Sequence, residues 1–257
     1  MRDFFDRIEK YRSVYEKCEE GEGHAFIRLE NAGEKLVTCQ ARGYAIGRIV
    51  GLLMHTQLDL RPIILTRSGE CVGTSMGLLG GDAGMTPQGT LYATKFADTM
   101  AKFAEERELQ PVVWHSAMLA ARQTASYISA SGFPAVQLKQ LNNLNPGACE
   151  GMTHEDFRKE RPEEYHARNA DRFHFRYHGG ESYEDVFRRM EPVLLELMGE
   201  PSPVIVVSHL PVLRIIYGYL MDKAPLECPM LDIPLNCVIV LNPIGYGYKE
   251  TRYFPLS

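Results

Sequence analysis

Apolar and polar positions follow two different rhythms along the chain, and the change between them falls near residue 60. A charged, helical stretch reaches to about Glu19 and is broken by Gly21-Glu22-Gly23. Two short strand-like runs, residues 25–29 and 35–39, flank the turn signal Glu30-Asn31-Ala32-Gly33. Ile46, Ile49, Val50 and Leu53 then recur at i, i+3, i+4 and i+7, which predicts an amphipathic helix. A hairpin and one such helix cannot close a core alone, so residues 1–60 are expected to dock on something else.

From Arg61 onward the order strand, loop, helix repeats, which predicts an α/β domain over 61–257: a mainly parallel sheet with helices on both faces. Residues 62–66 form the first predicted strand. Thr86-Pro87 reads as an N-cap followed by proline at the first helical position, opening a helix with Tyr92, Phe96, Met100 and Phe103 on one stripe. Residues 111–114 are the next strand, and Gly132 closes the helix after it. Residues 140–181 read as a long irregular region. Within it Phe173, Phe175 and Tyr177 alternate with Arg172, His174, Arg176 and His178, a period of two that puts aromatic rings inward and cations outward. Ser182 and Asp185 suit a capping box for the helix that follows, which Pro192 should kink. The run Val204-Ile205-Val206-Val207 is a buried strand by composition, and Ser208-His209-Leu210-Pro211 leads from it into a last helix.

Charge and cysteine usage narrow the class. A formal charge of −5 disfavours nucleic acid or an anionic membrane as partner, so any anionic ligand needs a local basic cluster. The six cysteines form no C-x-x-C pair, and nothing resembles a secretory leader, so reduced thiols and a cytoplasmic location are expected. No apolar run approaches the ~18 residues of a membrane span.

In an open α/β sheet, ligands collect beyond the carboxyl ends of the strands. Two such ends carry polar residues here, Arg67-Ser68 after the first strand and His209 with Arg214 after the last. At the second, a helix N-terminus and a cation would favour a phosphate. Taken alone, His209 and Arg67 read equally well as hydrogen-bonding structural residues. His174 and His178 read as surface residues, and no third ligand joins them for a metal site. Neither metal nor cofactor is expected.

These residues carry a resemblance. Leu65-Thr66-Arg67-Ser68-Gly69-Glu70 resembles the R-H-G-E loop of the histidine phosphatase superfamily. The runs G-G-D-A-G (80–84), L-N-N-L-N-P-G-A-C-E-G-M-T (141–153), R-P-E-E-Y-H-A-R (161–168), G-E-S-Y-E-D-V (180–186) and S-H-L-P-V-L-R (208–214) are similar to the bisphosphatase half of the bifunctional 6-phosphofructo-2-kinase/fructose-2,6-bisphosphatases. Residues 1–60 resemble the tail of the kinase half. No G-x-x-x-x-G-K-[ST] loop is present, so the kinase site is expected outside this chain.

The resemblance implies a phosphoglycerate-mutase-like fold and a phosphohistidine mechanism. A neutral histidine would attack the 2-phosphate, two arginines and a second histidine would clamp the phosphoryl group, and a glutamate would protonate the leaving oxygen. Carried over position by position, Arg67 and His209 are kept, but Ser68 stands in the nucleophile's place. Ala120 occupies the second arginine's place, with Arg122 two residues on, and Asn143 replaces the glutamate. Around the sugar, Thr74 stands for an asparagine, His154 for a tyrosine and Leu210 for a glutamine. Arg168, Arg172 and Arg214 retain basic character.

A serine hydroxyl needs a base to become a nucleophile, whereas imidazole offers a bare nitrogen at neutral pH. Losing a charge-stabilising donor costs on the order of 10²–10³ in rate, and losing a general acid about 10²–10⁴. A catalytically degenerate fructose-2,6-bisphosphatase-like domain is therefore the leading expectation. It would bind a sugar phosphate through Arg67, Thr74, Arg168, Arg172, Arg214 and His209, or serve structurally beside the kinase half of the same protein, whose activity would be 6-phosphofructo-2-kinase. Two rivals stay open: an active phosphatase whose nucleophile was replaced by Ser68 to trap substrate, and an interaction module docking through residues 1–60.

Overall fold

The computed structural model describes residues 2–30, 35–55, 61–244 and 247–256. The chain divides into two compact units, residues 1–58 and 59–257. In the first, α1 (Arg2–Val14) precedes an antiparallel pair, β1 (Phe26–Glu30) and β2 (Lys35–Cys39), in the register Phe26↔Cys39 to Glu30↔Lys35. The helix expected from Ile46 and its partners is α2 (Tyr44–His55). The expected turn at Asn31-Ala32-Gly33 and the change of rhythm at residue 60 lie outside the described residues.

The second unit is built on a six-stranded sheet. Its strands are β3 (Ile63–Arg67), β4 (Val112–Ser116), β5 (Ala135–Leu138), β6 (Val204–Ser208), β7 (Val238–Pro243) and β8 (Tyr248–Tyr253), in spatial order β5-β4-β6-β3-β7-β8. β5, β4, β6 and β3 are parallel, while β7 and β8 extend the sheet antiparallel. The mainly parallel sheet is thus as expected; the two closing strands carried no expectation. The period of two along the central strands sorts their side chains between two cores. Ile63, Leu65, Val204, Val206, Ile239 and Leu241 pack toward α8 (Tyr183–Gly199) and α9 (Leu210–Leu220). Ile64, Ile205, Val207, Val238 and Val240 pack toward α4 (Pro87–Glu106) and α5 (Leu119–Ser129). Each such side chain, taken fully out of water, contributes about 1.5–3 kcal/mol of transfer free energy. That burial on both faces explains why these strands read as continuous apolar runs.

The local signals hold where side chains meet helix ends. Thr86 caps α4, its Oγ1 accepting from Gly89 N, with Pro87 at the first position. Ser182 and Asp185 form the reciprocal capping box of α8, which continues as a helix through Pro192. Gly132, at φ +95°, follows α5 after a short turn rather than ending it directly.

Residues 140–181 are more ordered than the sequence suggested. Thr153 and Asp156 cap α6 (His154–Glu160), and Arg161-Pro162 starts α7 (Pro162–Ala170). The segment 171–178 is not a strand: it runs through turns and pairs with no neighbour. Its alternation survives without a ladder, because Phe173 and Tyr177 are buried while Arg172, His174, Arg176 and His178 are exposed. The rings are held inward by edge-on contacts, Phe173 with Phe187 and Tyr177 with Phe175. Among the described residues no helix is long and apolar enough to cross a membrane.

Candidate functional site

Parallel register brings three strand ends together. Arg67 at the end of β3 pairs with Ser208 at the end of β6, and His115 near the end of β4 pairs with Val207. Arg67, Ser68, Ser116 and His209 thus gather at one edge of the sheet, where the chain from β5 returns between strands already laid down. A cleft of about 310 Å³ opens there.

The loop after β3 is fixed by its backbone. Ser68 N donates to Ser208 O at 2.9 Å, and Gly69 N donates to Thr124 Oγ1 at 2.9 Å. Thr124 passes its own proton to Ala120 O at 2.8 Å. A Cβ on Gly89 would lie 2.1 Å from Glu70 O, so only glycine lets α4 approach this loop. Ser68 is almost wholly buried, and among the described residues no base hydrogen-bonds its hydroxyl.

His209 is committed elsewhere. Its Nε2 lies 2.9 Å from Ser116 Oγ, whose surroundings fix the direction of the proton. Asn142 Oδ1 accepts from Ala117 N at 2.9 Å and from Ser116 Oγ at 3.1 Å. Ser116 Oγ accepts from Met118 N at 3.0 Å. A hydroxyl has one proton to give, so with that proton on Asn142 the ring must donate Nε2–H to Ser116. Burial, and next the charge of Arg67, push the His209 pKa down to about 4, so the ring is neutral at physiological pH. Its single N–H is already in use.

Arg67 is also desolvated: burial first, then the charge of Arg214, lowers its pKa from the ordinary guanidinium value. Arg214, one turn into α9, donates Nε–H to Leu231 O at 2.6 Å and Nη1–H to Tyr183 Oη at 3.1 Å. Also in the lining, Arg168 lies in the last turn of α7, and burial raises the pKa of the Tyr177 phenol. Partial desolvation, then Arg168 and Arg172, hold His154 below its ordinary pKa.

All of the residues expected to bind substrate line this one cleft: Arg67, Thr74, Arg168, Arg172, Arg214 and His209. So do Ser68, Ala120, Asn143, His154 and Leu210. Arg122 does not; it is exposed on α5 outside the lining, so it does not add to the charge of the cleft lining. Asn143 turns its Oδ1 to Leu144 N at 2.9 Å. Thr74 sits at the exposed rim, where Cys71 Sγ, 3.4 Å from Thr74 N, caps the short α3 (Val72–Ser75).

Three contributors went unread in the sequence. Asp82 lines the cleft and accepts from Leu119 N, the first residue of α5, at 2.5 Å. Asn142 orients Ser116, as above. Arg189 on α8 pairs with Glu181 at 2.9 Å and donates to the carbonyls of Gln140, Asn142 (2.8 Å) and Asn143 (3.2 Å), fastening the cleft wall. A glycine pair before an acid hints at Asp82; no local pattern separates Arg189 from exposed Arg188.

Comparison with known proteins adds independent findings. The sequence profile of the histidine phosphatase superfamily (branch 1) matches residues 63–254. A 6-phosphofructo-2-kinase/fructose-2,6-bisphosphatase of Arabidopsis thaliana is 41% identical over 257 residues, 98% of this chain and 34% of its own length. A fructose-2,6-bisphosphatase of Saccharomyces cerevisiae is 37% identical over 252 residues, 97% of this chain and 54% of its own. The chain therefore spans about a third to a half of these relatives. Among solved structures, the α-ribazole phosphatase of Shigella flexneri superposes with a TM-score of 0.65 at 21% identity, covering 75% of this chain and 96% of its own. A mycobacterial glucosyl-3-phosphoglycerate phosphatase gives 0.63 at 22%, covering 75% and 97%. At such identities the likeness is one of fold.

Proposed function

From the premise that this chain belongs to the histidine phosphatase superfamily, with fructose-2,6-bisphosphatase domains among its relatives, we propose that it is a catalytically degenerate member, a pseudophosphatase that binds a sugar phosphate without hydrolysing it. One observation carries the reading: Ser68, Ala120 and Asn143 line a single cleft, where phosphohistidine chemistry needs an imidazole, a second guanidinium and a carboxylic acid.

The geometry adds reasons why the remaining groups do not compensate. His209 donates its proton to Ser116 and takes none from Ser68. Asn143 cannot protonate a leaving alkoxide, because an amide is not an acid in the working range of pH. Arg67 is one cation where a transferring phosphoryl group, with charge spread over three oxygens, is stabilised by several.

In this reading residues 1–60 are the tail of a kinase half, the complete protein works as a 6-phosphofructo-2-kinase in the cytoplasm, and the degenerate half has a regulatory or structural role in fructose 2,6-bisphosphate metabolism. Phosphate release from fructose 2,6-bisphosphate tests it directly. The chain as it stands, and its Ser68→His variant, are expected to release none above background. Strong turnover restored by Ser68→His alone would instead mean an otherwise intact enzyme whose nucleophile had been replaced.

A further inference from the structure

The outward stripe of α4 carries alternating charge. Its turns bury Tyr92, Phe96, Met100 and Phe103 and leave Leu91, Lys95, Asp98, Lys102 and Glu106 exposed on one face, at steps of three and four residues. The four charged residues line a groove of about 310 Å³ that is distinct from the cleft and has aromatic residues in its lining. There Phe103 meets Tyr253 edge-on at 6.5 Å between ring centres, and the Arg107 guanidinium stacks over Phe103 at 3.9 Å.

None of the four charged side chains forms an ion pair among the described residues. Asp98 and Lys102 stand at i and i+4 in the order that favours a pair along a helix, and they remain apart. With two cations and two carboxylates, the groove offers a small ion of either sign no excess of opposite charge. It does suit a surface with the same order of charge read backwards.

That surface is α4 itself. Asp98 and Lys102 are centred on residue 100, and Lys95 and Glu106 are centred on the peptide bond that follows it. An antiparallel copy of the helix therefore sets Asp98 opposite Lys102 and Lys95 opposite Glu106, each twice, and opposes no like charges. Such self-complementarity is what a twofold interface demands.

We propose that the outer stripe of α4 is a self-recognition surface, through which two copies of this chain associate with their α4 helices antiparallel and Asp98–Lys102 and Lys95–Glu106 paired across the seam. Helices packed side by side lie about 8–10 Å apart, within reach of such side chains. Each Lys95 stem then covers the Phe103 and Tyr253 rings of the opposite copy while its ammonium meets Glu106. Exposed ion pairs are individually weak and screened by salt, so the stripe selects its partner more than it holds it tightly.

The test is analytical ultracentrifugation of the 257-residue chain between about 1 and about 300 µM, where modest association is measurable. A monomer–dimer equilibrium is expected, weakened at least threefold when salt rises from about 0.05 to about 0.5 M. Asp98→Lys opposes a cation to Lys102 at both symmetric places and should weaken the dimer about tenfold or more; Lys102→Glu should do the same. The exchange Asp98→Lys/Lys102→Asp rebuilds both pairs in the reverse sense and should return the dissociation constant to within about threefold of the parent. All of these side chains are exposed, so the melting temperatures should match, and a variant that melts early is replaced by the other single variant.

A chain that stays monomeric throughout overturns the proposal. So does a dimer that neither single variant weakens, since its contact then lies elsewhere, and so does an exchange variant no tighter than Asp98→Lys.

Discussion

The state of His209 makes a quantitative prediction about acid stability. Its imidazole, with an ordinary pKa of 6.5, is held at about 4 in the folded chain by burial and by Arg67, while the unfolded chain restores the ordinary value. The native ring resists protonation and the unfolded ring accepts it, so the unfolded state binds the extra proton as pH falls. The resulting loss of stability is absent above pH 6.5, grows through the window between 6.5 and about 4, and is complete below it. The gap corresponds to about 3 kcal/mol, from roughly 1.4 kcal/mol per pKa unit. Replacing His209 by Gln keeps a neutral N–H donor opposite Ser116 and removes the titration. Unfolding in urea can be followed through Trp114, the single tryptophan, buried in β4 of the same unit. The parent is expected to lose about 3 kcal/mol more than His209→Gln between pH 7.5 and pH 4. Parallel curves for the two proteins, or an NMR titration that places this ring near 6.5, would refute the assignment.

Two further predictions concern the loop that carries Ser68. Gly89→Ala puts a Cβ 2.1 Å from Glu70 O, a clash between backbones that no rotamer relieves; a loss of at least about 1–3 kcal/mol and a lower melting temperature are expected, and an unchanged melt would show that α4 does not pack so closely. Thr124→Val removes the acceptor of the buried Gly69 N–H and should cost about 1–3 kcal/mol, whereas Thr124→Ser should recover most of it; equal stability of the Val and Ser variants in urea would refute that bond.

Legibility differed by the range over which each signal acts. Strands β3, β4 and β6 were found within two residues, because their apolar runs are bounded by turns and polar ends, and Thr86 and Ser182 announced their helices through cap chemistry only a few residues long. Strands β7 and β8 carried no expectation, since pairing between Tyr217 and Glu250 or between β7 and β3 is a tertiary matter. The segment 171–178 shows how a true burial alternation arises without a sheet, when rings dock on helices rather than on a neighbouring strand. In the candidate site, the gathering of Arg67, Ser68 and His209 followed from strand ends alone. The direction of the His209 proton did not, because it depends on Ser116, Asn142 and Met118, which only the folded chain brings together.

Arg189 holds the wall of the cleft by main-chain oxygens, at residues 140, 142 and 143, and so is indifferent to which side chain position 143 displays. The clamp on the wall is thus carried by Arg189 and main-chain oxygens rather than by the side chain at residue 143.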